Sequence, residues 1–108
     1  ANVPVPPEFL GAEAAVEQSL VNEGSVIFGR VEHSVISTGV RIARGARVTN
    51  SVVMPFARIG EDAVVDHAIL GPGSEIAPLA QVQGHEEAIA VIAEEETVLP
   101  EPAAQQVG

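Results

Sequence analysis

Aliphatic residues recur along this chain with a period of 17 residues, and that repeat constrains the fold more than any other feature. A six-residue template (aliphatic, polar, polar, small, aliphatic, aliphatic) begins at Val31, Val48 and Val65, and a further copy begins 15 residues earlier, at Val16. Aliphatic positions continue between the templates in steps of five, six and six residues. The full series is Val31, Ile36, Ile42, Val48, Val53, Ile59, Val65, Leu70, Ile76 and Val82.

This spacing matches neither a helix nor a simple strand. A helix would place apolar residues three to four apart, and a half-buried strand would alternate by two. Steps of five to six predict short strands joined by tight corners, with three sides to each coil. Coils hydrogen-bonded at the ~4.8 Å strand spacing would stack the residues of each column on one another. The sequence therefore predicts an all-β chain that folds as a single-stranded parallel β-helix of about four to five triangular coils.

The phase of the repeat divides the chain into three parts. We predict an N-terminal linker at 1–12, β-helix coils at 13–83, and an extended C-terminal tail with a terminal strand at 84–108. The first coil is two residues short and carries Phe28 where the others carry a small or polar residue. We interpret it as a capping coil, which repeat arrays require. We also expect the chain to be an excised domain of a longer protein.

Composition disfavours several classes of function. Only three aromatic residues are present, which disfavours base stacking, and a net charge of −10 with five arginines and no lysine disfavours nucleic-acid binding. The absence of cysteine excludes disulfides and thiolate zinc sites and suits a reducing cytoplasm. No run of about 18 apolar residues or signal-peptide pattern is present, so no membrane partner is predicted.

The histidines suggest either a ligand role or a structural one. His33 and His67 occupy the same template position, with Asn50 between them and Gln18 before them. Two coils would separate the histidines by ~9–10 Å, too far to share a zinc ion, whose bonds to histidine nitrogen are about 2 Å long. We interpret these four residues as a polar ladder at one corner and His85 as a loop residue. No metal site or catalytic residue is predicted in this chain.

The arginines form the only basic segment. All five lie between positions 30 and 58, where Glu32 is the sole acid, so the segment carries a charge of +4. The candidate anion- or effector-binding residues are Arg30, Arg41, Arg44, Arg47 and Arg58. Members 17 residues apart should stack, and stacked like charges repel unless they are neutralised. Either the Glu-rich tail and solvent neutralise them, or they bind a phosphate-bearing ligand or another domain's acidic surface, which the planar guanidinium group suits.

An apolar line is predicted on the outside of the coils. Each template ends in two aliphatic residues, and only one of each pair can point inward from a flat strand. The step series leaves Leu20, Val35, Val52 and Ile69 outside. A contiguous apolar stripe usually marks a contact surface, although strand propensity on an exposed face is the alternative. We take these four residues as candidate interface residues.

Several phrases resemble the C-terminal domain of glucose-1-phosphate adenylyltransferases (ADP-glucose pyrophosphorylases). They are Pro6-Pro-Glu-Phe-Leu-Gly11, Val16-Glu-Gln-Ser-Leu-Val-Asn-Glu-Gly24, Gly29-Arg-Val-Glu-His-Ser-Val-Ile36 and Asn50-Ser-Val-Val-Met-Pro55. The likeness spans about residues 4–99, and the Pro-Pro segment before a short first coil is its most specific part.

The resemblance implies a left-handed β-helix attached to an N-terminal nucleotidyltransferase domain. That missing domain would make ADP-glucose and pyrophosphate from ATP and glucose 1-phosphate with Mg²⁺, for glycogen or starch synthesis. The β-helix itself would need no cofactor. It would contribute to homo- or hetero-oligomer contacts and to regulation by anionic metabolites. No catalytic residue of the family carries over to this chain.

Two other functions stay open on the sequence. A hexapeptide acyltransferase that uses acetyl-CoA would place a catalytic histidine at a coil corner, where His33 or His67 could serve. A guanylyl- or thymidylyl-transferring sugar-1-phosphate enzyme would carry a similar C-terminal domain. A test of acetyl-CoA binding would distinguish the acyltransferase from a glucose-1-phosphate adenylyltransferase domain. The sequence of the N-terminal domain would distinguish the guanylyl- or thymidylyl-transferring enzyme.

Overall fold

The computed structural model describes residues 8–10 and 15–101, and these residues form sixteen short strands and no helix. In chain order the strands are β1 Glu8–Leu10, β2 Ala15–Glu17, β3 Leu20–Val21, β4 Ser25–Ile27, β5 Arg30–Glu32, β6 Val35–Ile36, β7 Arg41–Ile42, β8 Arg47–Thr49, β9 Val52–Val53, β10 Arg58–Ile59, β11 Val64–Asp66, β12 Ala68–Leu70, β13 Glu75–Ile76, β14 Gln81–Gln83, β15 Ala90–Ile92 and β16 Thr97–Val98. No helix of the described residues could therefore span a membrane.

The strands form the three walls of a prism. Sheet A has the order β1-β4-β7-β10-β13-β16, sheet B the order β14-β11-β8-β5-β2, and sheet C the order β15-β12-β9-β6-β3. Neighbouring strands within each sheet are parallel. The chain therefore folds as an all-β solenoid of about four turns, consistent with the left-handed β-helix of hexapeptide repeats.

The repeat phase correctly identifies the core. Every aliphatic residue of the predicted series is at most 5% exposed. The register stacks like on like: Ile42 pairs with Ile27 on one side and Ile59 on the other, and Val48 pairs with Val31 and Val65. Burial of these columns between neighbouring coils is the main stabilising term.

Paired strands extend beyond the predicted coil range of 13–83 at both ends. Strand β1, inside the predicted linker, pairs with β4. Strands β15 and β16, inside the predicted tail, pair with β12 and β13. The other parts of the linker and the C-terminal segment 102–108, like residues 13–14 of the coil range, lie outside the described residues.

The corners are made by single residues with positive φ. At the corner between sheets B and C the four residues are Gln18, His33, Asn50 and His67, with φ between 49° and 51°. Histidine and asparagine adopt this left-handed region more readily than most side chains. The predicted polar ladder therefore consists of residues whose backbone turns the chain from one sheet to the next.

Candidate functional site

The outer face of sheet A carries a groove of about 490 Å³ with three of the five arginines on its walls. Arg41 and Arg58 are direct register partners on β7 and β10, as their 17-residue spacing predicts. Arg44 joins them from the corner that precedes β8, and Phe28 also lines the groove. The groove is half open to solvent, and its cationic side chains come from neighbouring coils.

A second groove, of about 190 Å³, lies on the other side of the same corner and holds the other two arginines. Arg30 and Arg47 are register partners on β5 and β8. Phe28 lines both grooves and so stands between them. The structure thus brings all five predicted arginines around one corner of the prism, beside one aromatic ring.

The short first coil creates this arrangement. The backbone N–H of Phe28 donates to the carbonyl of Ile42 and that of Arg30 to the carbonyl of Ala46, at 2.8 and 2.9 Å, so one residue of the first coil lies opposite three residues of the next. That residue is Gly29, and a Cβ there would overlap the carbonyl oxygen of Ala46. The longer corner of the second coil therefore bulges over Gly29, and a notch forms on each side of Phe28.

Two of the arginines are partly neutralised at the surface. Arg30 lies 3.6 Å from Glu32, and Arg58 lies 3.4 Å from Glu75. Such exposed pairs contribute ~0–1 kcal/mol each. Arg41 and Arg47 form no ion pair with any carboxylate of the described residues, although each stacks on another arginine. The grooves therefore keep cationic charge that an anion would neutralise.

The outer face of sheet C holds the predicted apolar stripe. Leu20, Val35, Val52 and Ile69 are direct register neighbours, and Leu20 is 68% exposed. The stripe extends one coil further, because Ile69 pairs with Val91, which is 67% exposed. None of the five strands of sheet C contains a charged residue.

A second row of apolar side chains crosses this stripe on its middle strand. Met54 follows β9 and is 36% exposed, and Phe56 occupies the next corner with 64% exposure. Phe56 has φ 66°, a region that bulky residues rarely adopt and that costs of order 1–3 kcal/mol. We define the stripe Leu20, Val35, Val52, Ile69 and Val91, with Met54 and Phe56, as the apolar face.

The corner between sheets B and C holds a hydrogen-bonded carboxylate. Asp66 accepts hydrogen bonds from Thr49 at 2.6 Å and from Asn50 at 3.2 Å, and its other oxygen lies 3.0 Å from Nδ1 of His67. The hydrogen bond from Thr49, followed by that from His67, holds the pKa of Asp66 below its ordinary value, although burial opposes the shift. This network joins the third and fourth coils.

The histidines do not converge. His33 and His67 stand at the same corner two coils apart, with Asn50 between them. His85 lies in a small hairpin, bridged to Ala88. Within residues 8–10 and 15–101 no group of three or more His, Cys, Asp or Glu side chains could hold a metal ion.

Sequence reasoning missed three features. Val91 has the same neighbours as Ile69 (Ala90-Val-Ile92 against Ala68-Ile-Leu70), but a five-residue insertion at the hairpin hides the match. Phe28 was assigned to a capping coil, and its position between two arginine grooves depends on the bulge over Gly29. The Asp66 network could not be foreseen because its partners come from two coils.

Comparisons with known proteins identify the family of this chain. The family model described as "GlmU-like, C-terminal hexapeptide" matches residues 7–95. Glucose-1-phosphate adenylyltransferase from Bacillus cytotoxicus is 51% identical over 71 residues, which cover 66% of this chain and 19% of that protein. The enzymes of the same name from Bacillus thuringiensis and Bacillus mycoides are each 50% identical over 66 residues, covering 61% of this chain and 18% of theirs.

A solved structure also matches. It is the acetyltransferase domain of PglB from Neisseria gonorrhoeae in complex with acetyl coenzyme A, with 20% identity and a TM-score of 0.49 over 90% of this chain and 53% of that one. The matches to the curated relatives span about a fifth of the length of those proteins. Since the family model covers most of the sequence, the chain belongs to the GlmU-like C-terminal hexapeptide family.

Proposed function

We propose that this chain is the non-catalytic C-terminal oligomerisation and regulatory domain of a cytoplasmic glucose-1-phosphate adenylyltransferase. The parent enzyme would convert ATP and glucose 1-phosphate to ADP-glucose and pyrophosphate for glycogen synthesis. An N-terminal domain outside this chain would hold the substrates and Mg²⁺. The observation that carries the proposal is the identity of about 50% with enzymes of that name over a stretch that is under a fifth of their length.

The apolar face supports the oligomerisation role. Its five-residue column is uncharged, with four members exposed and Ile69 half-buried, in a chain whose net charge is −10. Interfaces are depleted of charge at their centres, and a contiguous apolar stripe usually marks a contact. Val35 and Val52 lie at neighbouring positions within the column.

The arginine grooves support the regulatory role. Guanidinium groups from neighbouring coils line a half-open groove, and Arg41 forms no ion pair with the described residues. A phosphate-bearing metabolite in this groove would relieve the repulsion between Arg41 and Arg58 and accept charge-assisted hydrogen bonds. The ligand class is therefore a small phosphorylated anion.

The enzymatic part of the proposal is tested on the parent polypeptide. Purified parent protein with ATP, glucose 1-phosphate and Mg²⁺ should release pyrophosphate, and replacement of ATP by GTP or dTTP should abolish most of that release. A parent that prefers GTP or dTTP would overturn the assignment. Val35→Glu and Val52→Glu should lower its oligomeric state in sedimentation, and unchanged assembly would refute the contact role.

The anion site is tested by calorimetry with inorganic pyrophosphate as the probe. Arg41→Gln and Arg58→Gln should each weaken binding about tenfold, since one charge-assisted hydrogen bond contributes ~1.5 kcal/mol. Arg30→Gln is the matched control, because it removes the same charge outside the larger groove. Equal losses in all three variants would indicate general charge attraction and no built site.

A further inference from the structure

The apolar face is symmetric about one strand. Strand β9 is the middle strand of sheet C, with two strands on either side. It carries Val52, the centre of the aliphatic column, and leads directly into Met54 and Phe56. The face is therefore a cross, whose vertical arm runs along the solenoid and whose horizontal arm runs along β9 toward the corner between sheets C and A.

A second copy of this chain fits such a face. Two copies that each carry a net charge of −10 repel one another, and sheet C is the wall whose strands carry no charge. An interface between identical copies with two-fold symmetry requires a self-complementary surface. A cross centred on the middle strand meets that requirement, because a two-fold axis along β9 maps the cross onto itself.

Two face-to-face arrangements are possible, and the edges of sheet C distinguish them. An axis along the solenoid would set the two solenoids parallel and place each corner between sheets C and A against the partner's corner between sheets B and C. Phe56 would then face the level of Asn50, a polar corner residue. The same axis would bring the hairpin acids Glu86 and Glu87 level with Glu94 and Glu95.

An axis along β9 sets the solenoids antiparallel and matches like edges. Phe56 of the two copies would lie at the same level beside the axis, and Asn50 would lie opposite Asn50. The hairpin acids Glu86 and Glu87 would then face the level of Gln18. In the antiparallel arrangement Glu94 and Glu95 of one copy would still face Glu23 of the other. Fewer acidic residues face one another in this arrangement than in the parallel one.

We propose that two copies of this domain pack antiparallel through the outer face of sheet C, with the two-fold axis along β9 and Phe56 beside it. The proposal rests on the oligomerisation role proposed above and gives it a partner and a geometry. Leu20 of one copy lies opposite Val91 of the other, Val35 opposite Ile69, and Val52 opposite Val52. The ring of Phe56 lies against Gly39 of its own chain, and its exposed part would contact the partner.

The interface is small. Four strand spacings give the column a height of ~19 Å, and a width of about five residues gives a footprint of ~300 Å², below the ~800 Å² per partner of a stable complex. The isolated domain should therefore associate weakly. Cross-linking captures weak complexes and reports their geometry, and the absence of native cysteine makes single-cysteine variants clean reporters.

The test uses a short bismaleimide, because face-to-face sheets lie ~10 Å apart and a disulfide needs Cα atoms within ~7 Å. Val52→Cys should give cross-linked dimers on its own. Leu20→Cys and Val91→Cys should each stay uncross-linked alone and should give the mixed dimer when combined. A control at Gln81→Cys, exposed on sheet B, should give no dimer in either test.

The outcomes separate the possibilities. Self-cross-linking of Leu20→Cys would overturn the antiparallel geometry in favour of the parallel one. A mixture that fails to cross-link, with dimers still seen by sedimentation, would refute this interface and leave oligomerisation through another face. Monomers at every concentration without cross-links, in the domain and in the parent enzyme alike, would refute both this inference and the oligomerisation role.

Discussion

The backbone N–H of Ser51 donates a 3.0 Å hydrogen bond to the hydroxyl oxygen of Ser34 in the preceding coil. Each of these serines also donates its hydroxyl to a carbonyl two residues earlier, Ser34 to Glu32 and Ser51 to Thr49, both at 2.8 Å. The residue skipped in each case has positive φ. Where the small residue of the repeat template is serine, as at Ser34 and Ser51, its hydroxyl links two coils and restores hydrogen bonding where the chain turns.

Removal of one such hydroxyl should destabilise the solenoid. Ser51→Ala leaves the carbonyl of Thr49 and the buried N–H of Ala68 without the hydroxyl they bind, and the free energy of unfolding should fall by ~1–2 kcal/mol in urea titrations. Ser37→Ala is the control, because the hydrogen bonds of Ser37 with the described residues run through its main chain, and it should change stability by less than ~0.5 kcal/mol. Equal losses of unfolding free energy in the two variants would contradict the role of the Ser51 hydroxyl in linking the coils.

Replacement of Ser74 should stabilise the solenoid, in contrast to replacement of Ser51. Its hydroxyl is fully buried and finds no hydrogen-bond partner among the described residues, and the same column holds alanine one coil earlier, at Ala57. Ser74→Ala should raise the free energy of unfolding by ~1 kcal/mol. Ser25→Ala, in the same column, removes a hydroxyl that donates to Ser37 and accepts from Val40, and it should destabilise. A loss of stability in Ser74→Ala would show that the hydroxyl has a partner in solution.

Asp66 should make stability depend on acid pH. Its pKa is lowered in the folded state from the ordinary 3.8, chiefly by Thr49, so the folded carboxylate binds protons less readily than the unfolded one. The stabilisation is therefore present above about pH 4 and is lost as pH falls through the lowered value. Asp66→Asn should flatten the dependence of unfolding free energy on pH below about 5, measured by urea titration at each pH. Thr49→Val should flatten it partly, and no effect of Thr49→Val would show that another group causes the dependence.

Two bulky corner residues allow the effect of backbone strain on stability to be distinguished from the effect of contact with a second copy. Phe56 and Leu79 are each 64% exposed, with φ of 66° and 69°. Asparagine tolerates this backbone region, so Phe56→Asn and Leu79→Asn should each raise the melting temperature by a few degrees, equivalent to ~0.5–1 kcal/mol. Only Phe56→Asn should also weaken self-association in sedimentation, because Leu79 lies off the apolar face. Weakened association in both variants would point to a general effect on the fold.

The repeat predicted more of this molecule than any motif did. Burial alternates along each strand, and this alternation depends on local sequence alone. The spacing of Val31, Ile36 and Ile42 was therefore enough to place them inside and Val35 outside. A fixed coil length also determines which residues are register partners, which is why Arg41 was correctly placed on Arg58. These predictions need only the length of a coil and the alternation of a strand.

The repeat did not predict the placement of residues that lie beyond an irregular connection. Val91 joins the apolar column only because the chain adds a hairpin and then returns to phase, and spacing alone cannot tell an insertion from the end of the repeat. Strands β1, β15 and β16 also pair with coil strands across irregular connections, and spacing alone does not predict those pairings.

The sequence by itself determined the core columns, the stripe from Leu20 to Ile69 and the stacking of arginines in pairs, because each follows from periodicity. Only the tertiary structure decided that the two arginine pairs and Arg44 surround Phe28, since that depends on how a longer corner bulges over Gly29. It also decided that Asp66 collects Thr49, Asn50 and His67 around one carboxylate. Side chains from different coils meet at distances that the path of the backbone sets, and no single stretch of sequence records that path.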